Sequence, residues 1–242
     1  MTVKAIILAA GNGKRMNSDL PKVLHKLGGK PMVQHVLETV GALDPEEIVV
    51  VIGPDADDVK AAVAPYKTVV QEQRLGTAHA ALAARDYLAP FDGQVLVLFG
   101  DNPLITPKTL KEMLKKAASG VDIVVLGFIP ADARRYGRLV MGDDGLQAIV
   151  EYKDATEEQR AIQLCNSGVM CLNGRYILDL LKAVKNENAA GEYYLTDVVK
   201  LAKDKGLSCD VVIGNVEELH GVNTQEELEM AEELYQRRLQ MA

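Results

Sequence analysis

Lys14, Arg15 and Lys22 stand just behind two glycines, Gly11 and Gly13, in the stretch LAAGNGKRMNSDLPK that runs from Leu8 to Lys22. Glycines let backbone N–H groups approach an anion closely and the three cations supply fixed positive charge, so the stretch reads as a phosphate-binding loop. Two better-known loops are excluded: the GxGxxG fingerprint would need glycine where Met16 stands, and no GxxxxGKS/T occurs. A bare GxG equally suits a surface turn with solvated lysines. Asp101 is a hard oxygen donor of the kind Mg²⁺ takes, and taken alone it also suits a turn or a helix cap. Asn223, ahead of Thr-Gln-Glu, suits a helix N-cap. His25, His35, His79 and His220 have no metal-ligand spacing and read as structural. No GxSxG elbow supports acyl transfer.

These groups need elements that bring distant strand ends together. Apolar runs predict strands at Val3 to Leu8, Ile48 to Ile52, Thr68 to Val70, Val95 to Phe99, Asp122 to Phe128, Leu164 to Leu172 and Cys209 to Ile213. Helical spacing predicts helices at Pro31 to Leu43, Pro54 to Ala64, Thr77 to Leu88, Thr106 to Ala118, Arg175 to Val184, Thr196 to Lys205 and Gln225 to Leu239. Strands alternating with helices over short connections make an α/β fold with a doubly wound, mostly parallel sheet, which binds ligands at the carboxyl ends of its strands. Asp101 falls just past such an end and is expected to face solvent. Between Arg138 and Val150 the rhythm changes, and short apolar runs around Gly142 to Gly145 predict an antiparallel hairpin.

With 242 residues, 48% hydrophobic and 25% charged, the chain has the material for one well-cored globular domain. A net charge of −7 argues against nucleic acid or anionic membrane as the main partner, while Lys14, Arg15, Lys22, Lys26 and Lys30 concentrate positive charge near a small phosphorylated ligand. No apolar stretch approaches the ~20 residues that span a bilayer. Cys165, Cys171 and Cys209 are too few and too scattered for a disulfide framework. The expected setting is the cytoplasm.

LAAGNGKRM followed by SDLPKVLHKLGGKPM resembles the signature of the sugar-phosphate nucleotidyltransferases. QEQRLGTAHA, FGDNPL, YGRLV, IVEYKDATEEQ, CNSGV, GEYYLTD and HGVNT are similar, more narrowly, to the uridylyltransferase half of the bacterial bifunctional enzymes that make UDP-N-acetylglucosamine. The resemblance spans about Val3 to Asn223. It implies a Rossmann-like mixed, mostly parallel sheet with helices on both faces and a small antiparallel sugar-binding insertion. The implied reaction is attack by N-acetylglucosamine-1-phosphate on the α-phosphorus of UTP, with magnesium as cofactor. Arg15 would face the leaving pyrophosphate and Lys22 the α-phosphate. Asp101 and Asn223 would hold the metal, and Leu8, Ala9, Ala10, Gly11, Phe99 and Gly100 would line the nucleotide. Gln71, Gly76 and Thr77 would read the base, an amide being able to donate and accept at one pyrimidine edge. Gly137, Glu151, Asn166, Tyr194 and Thr196 would surround the sugar. Lys14, Ala78, Phe99 and Ser167 depart from the family's usual threonine, glycine, tyrosine and threonine.

The expected organisation is a single nucleotidyltransferase domain over residues 1–242, with a nucleotide half to about 101, a sugar half to about 223 and a terminal helix over 224–242. No hexapeptide repeat of an acetyltransferase β-helix is present, and a trimer is expected only if the native protein carries such a domain. Rival readings are a thymidylyl-, cytidylyl- or guanylyltransferase, and a non-catalytic nucleotide-binding regulator.

Overall fold

The computed structural model describes residues 2–88, 91–133 and 136–241, with the side chains of Lys14 and Met241 excepted. Its strands, in chain order, are β1 Val3–Ala9, β2 Lys26–Leu27, β3 Lys30–Pro31, β4 Glu47–Ile52, β5 Lys67–Val70, β6 Gln94–Phe99, β7 Ile123–Phe128, β8 Arg138–Gly142, β9 Gly145–Val150, β10 Cys165–Asn173 and β11 Cys209–Ile213. The helices are α1 Met32–Gly41, α2 Asp57–Ala62, α3 Thr77–Ala83, α4 Arg85–Leu88, α5 Pro107–Ala118, α6 Glu157–Arg160, α7 Ile177–Ala183, α8 Asp197–Asp204 and α9 Gln225–Met241.

One sheet runs in the order β11-β7-β10-β6-β1-β4-β5, with the β8/β9 hairpin attached through β10. Strands β6, β1, β4 and β5 are mutually parallel, as are β11 and β7. β10 lies antiparallel between β6 and β7, and this reversal positions the site. Because β10 runs the other way, its first residues, Cys165 and Asn166, reach the edge where β6 and β7 end. Residues far apart in the chain therefore share one rim.

The sheet is covered on both faces because its central strands are apolar throughout. In β1, Ile6 and Leu8 pack towards Ala80, Ala81, Leu180 and Val198 of α3, α7 and α8. Ala5 and Ile7 point the opposite way, towards Val36, Val40, Leu110 and Met113 of α1 and α5. A third cluster seats α9: Ala231 and Leu234 pack with Met16, Leu27, Met32, Leu104 and Val222. That helix thereby buttresses the glycine loop, and Gln225 donates from Nε2 to the Met16 carbonyl at 3.0 Å.

Local features differ from the sequence-based expectation, among them the short α6, which it did not include. The helix expected from Pro54 starts only at Asp57, because Asp55 takes φ 56°, a left-handed value that no α-helix admits. The helix expected over Thr77 to Leu88 divides at Ala84, whose N–H bonds the Ala81 carbonyl three residues back and tightens the turn. The β2/β3 hairpin escaped the pattern, since two-residue strands have no periodicity to read; its turn residues Gly28 and Gly29 have φ 56° and 81°. Among the described residues no helix is long and apolar enough to cross a membrane.

Candidate functional site

A cavity of about 600 Å³ opens past the carboxyl ends of β1, β5 and β6, with β10 and the two residues that flank the β8/β9 hairpin, Gly137 and Glu151, on its far wall. Leu8, Ala9, Ala10 and Gly11 line it where β1 passes into the loop. No heavy atom lies within 4 Å of the place a Gly11 Cβ would occupy, so its backbone is open to a ligand. Gly13 has a different reason to be glycine: it takes φ 59°, and a Cβ there would sit 2.7 Å from the Cβ of Lys22. Gly13 thus lets Lys22 fold back over the loop.

Lys22, Asp101, Asn223 and Arg15 converge. Lys22 Nζ is ion-paired with Asp101 Oδ2 and donates to Asn223 Oδ1 at 3.0 Å. Arg15 donates from a terminal guanidinium nitrogen to the same Asn223 oxygen at 2.9 Å. The Lys22 and Asp101 side chains are only 14% and 13% exposed, so the carboxylate does not face open solvent as expected from its strand end. Lys22, Asp101 and Asn223 line the cavity, whereas Arg15 lines the neighbouring cleft, which it shares with Glu151, Glu192 and Tyr194. Of the other expected residues, Tyr194 lies in that cleft and Gly100 is buried below the surface against Val23. Lys14 keeps its backbone place in the loop, and its side chain lies outside the described residues.

Gln71, just past β5, is buried although polar. Its Nε2 donates to the Gly76 carbonyl at 3.1 Å and lies 3.1 Å from His79 Nδ1. The Gln71 amide N–H faces Nδ1, the ring nitrogen that can accept it. His79 is therefore structural in the sense that it orients Gln71. Gly76 takes φ 125°, and a Cβ there would collide with the backbone of Tyr193, so only glycine joins this loop to the Glu192–Thr196 segment. Thr77 Oγ1 accepts from the Leu195 N–H at 2.9 Å, a second tie across the cavity.

On the far wall stand Gly137, Glu151, Asn166 and Thr196. Asn166 Oδ1 accepts from the Gly168 N–H at 2.9 Å, and Ser167 donates to the Leu126 carbonyl at 2.7 Å, fixing the irregular start of β10. Gly168, at φ 89°, lies against the Phe99 ring, where a Cβ would come within 2.7 Å. Thr196 donates to Glu151 Oε1 at 3.3 Å. Burial pushes the Glu151 carboxyl up from its ordinary value; the Thr196 bond opposes the shift and the charges of Asp154 and Asp197 add to it.

A carboxyl whose folded pKa is raised contributes stability that is present below its unfolded pKa and lost as pH rises through the folded one. Glu151→Gln keeps the shape and removes the buried charge. The melting temperature of this variant is expected to overtake that of the unmodified chain as pH climbs out of the ordinary carboxylate range towards neutrality. A melting series from pH 4 to 7.5 checks it; a difference independent of pH would mean that Glu151 ionises without cost.

Sequence reasoning missed Arg74, Glu192 and Asn102, all on the cavity wall. Asn102 is 3% exposed, and among the described residues its amide nitrogen has no hydrogen-bond partner. Each follows or precedes an expected residue in the same segment, so proximity to Gln71, Asp101 and Tyr194 was the available signal.

Three similar proteins are each named Bifunctional protein GlmU. That of Rhodospirillum rubrum is 58% identical over 97% of this chain and 53% of its own length. Those of Paramagnetospirillum magneticum and Cereibacter sphaeroides are 54% and 51% identical, over 98% and 100% of this chain and 53% and 54% of their own lengths. The chain thus spans about half the length of the curated relatives it matches. A crystal structure of a UDP-glucose pyrophosphorylase complexed with UDP-glucose shares the fold, with TM-score 0.80 over 98% of this chain and 100% of that one at 18% identity. The family described as MobA-like NTP transferase domain matches residues 5–189, most of the described sheet and both sides of the cavity, and the chain belongs to that family.

Proposed function

We propose that the chain transfers a uridylyl group from UTP to N-acetylglucosamine-1-phosphate, giving UDP-N-acetylglucosamine and pyrophosphate. The observation that carries this reading is the meeting of Lys22, Arg15, Asp101 and Asn223 at one end of a cavity whose other walls hold Gln71 and the Glu151–Thr196 pair. The membership in an NTP transferase family and the relatives named GlmU support it.

In the proposed reaction a phosphate oxygen of the sugar-1-phosphate forms a bond to the α-phosphorus as the bond to the bridging oxygen breaks. Pyrophosphate leaves with that electron pair. No side-chain nucleophile is needed, because the attacking phosphate is already an anion. Catalysis then consists of holding two anions in line and countering charge on the leaving group. Lys22, held by Gly13 and Asp101, takes the α-phosphate, and Arg15 takes the departing pyrophosphate. Gln71, turned by His79 and the Gly76 carbonyl, reads the base. Glu151 and Asn166 hold sugar hydroxyls, and a site built for such bonds rejects ligands that lack them.

The donor set fits magnesium. The Asp101 carboxylate and the Asn223 amide oxygen already share one cation, the Lys22 ammonium, and two hard oxygens suit an ion that takes its remaining ligands from phosphate and water. Bound there, magnesium would neutralise phosphate charge. A reducing cytoplasmic setting accords with the three cysteines, all buried and unpaired.

Pyrophosphate release across a matrix of nucleoside triphosphates and sugar-1-phosphates tests the assignment. UTP with N-acetylglucosamine-1-phosphate is expected to give the highest kcat/KM, and glucosamine-1-phosphate to be poor. A higher value for dTTP with glucose-1-phosphate would overturn the substrate assignment and leave the reaction class standing.

A further inference from the structure

Charge is poorly matched in the cavity if it is to take a triphosphate. Three carboxylates line it, Asp101, Glu151 and Glu192, against two cations, Lys22 and Arg74. The Lys22 ammonium is engaged by Asp101, and Arg15 lies in the adjoining cleft. Arg74 is different: among the described residues no carboxylate forms an ion pair with it.

Its guanidinium is nevertheless seated. Arg74 Nε donates to the Ala10 carbonyl at 2.7 Å, and a terminal nitrogen lies against Gly53, just past β4, where any Cβ would collide with it. Gly53 thus leaves room for the guanidinium beside the end of β4. One N–H is used by Ala10, leaving those of the two terminal nitrogens. That residual fork matches the geometry of a phosphate group better than a lysine would.

We infer that Arg74 is a further phosphate-binding residue, contacting the outer phosphates of the bound nucleoside triphosphate at the start of the glycine loop. The inference rests on the functional reading above. Burial separates it from base recognition: Gln71 is 4% exposed on the cavity floor, whereas Arg74 is exposed at the rim where a polyphosphate tail would extend. A donor-only cation also meets phosphate on every side, while a pyrimidine edge offers it only its keto oxygens.

The test is binding of uridine, UMP, UDP and UTP to the full chain and to Arg74→Met and Arg74→Lys, with dissociation constants measured by calorimetry or competition. For Arg74→Met, UTP affinity is expected to fall about tenfold, UDP less, and UMP and uridine by less than about twofold, with Arg74→Lys recovering part of the UTP loss; the size is that of one charge-assisted contact. A structural tether would instead weaken all four ligands alike, and that result, or an unchanged UTP affinity, overturns the inference. Unmodified protein is titrated first with all common triphosphates. Should another base bind better, the uracil reading fails on its own, and the phosphate series with that base still decides the role of Arg74.

Discussion

Asp101→Ala is expected to lower kcat/KM by about 100-fold or more, from loss of metal-assisted charge neutralisation worth several kcal/mol, at ~1.4 kcal/mol per tenfold. The variant has a second consequence that the strand-end position alone did not suggest. Asp101 is ion-paired with a lysine that is only 14% exposed, so its removal leaves a largely enclosed ammonium with Asn223 as its remaining side-chain acceptor. Because the pair borders an open cavity, we expect a cost of about 1–2 kcal/mol, below that of a fully buried pair, and a melting temperature lower by a few degrees. The two effects separate experimentally. A magnesium titration of initial rates should restore part of the activity if metal affinity is what was lost, while the melting temperature without nucleotide stays low. Asp101→Asn keeps an oxygen for Lys22 and should regain most of the stability but little of the rate. Near-normal turnover of Asp101→Ala at low magnesium would remove Asp101 from the metal site and with it the proposed arrangement.

The loop, the parallel strands and Asp101 were legible because each is written locally: an apolar run, a glycine turn, a carboxylate just past a strand. The reversal of β10 was not, because an isolated apolar strand carries no direction. Yet that reversal brings Asn166 to the rim and closes the cavity. The burial of Gln71 was hidden for the same reason, since a polar residue after a strand looks exposed until His79 and Gly76 are seen to enclose it. Arg74 and Asn102 were overlooked although they sit beside residues that were chosen. An arginine in a polar loop gives no sign that a glycine twenty-one positions earlier makes room for its guanidinium. Local sequence names the groups at the strand ends, and tertiary packing decides which of them point inward.

Lys22→Met should have the larger effect on chemistry. One preorganised donor aimed at developing phosphate charge is worth about 10²–10³ in rate, roughly 3–4 kcal/mol. Lys22 meets that description: its Cβ packs over Gly13, its ammonium is held by Asp101 and Asn223, and it lines the cavity. In contrast with Asp101→Ala, raised magnesium should not restore the rate, because in the proposed arrangement the lost cation acts on phosphate directly. Binding gives the opposite sign. In the ligand-free protein Lys22 occupies both proposed metal oxygens, so replacing it removes a competitor, and Mn²⁺ read by electron paramagnetic resonance should bind the free variant more tightly than the unmodified chain. The two substitutions are also expected to be non-additive for stability, since each removes the same ion pair. Initial rates at low and high magnesium, with Mn²⁺ binding alongside, decide the matter. Magnesium-dependent recovery of Lys22→Met would reassign the lysine from phosphate to metal positioning, and weaker Mn²⁺ binding by the free variant would mean that the ammonium does not compete for the Asp101 and Asn223 oxygens.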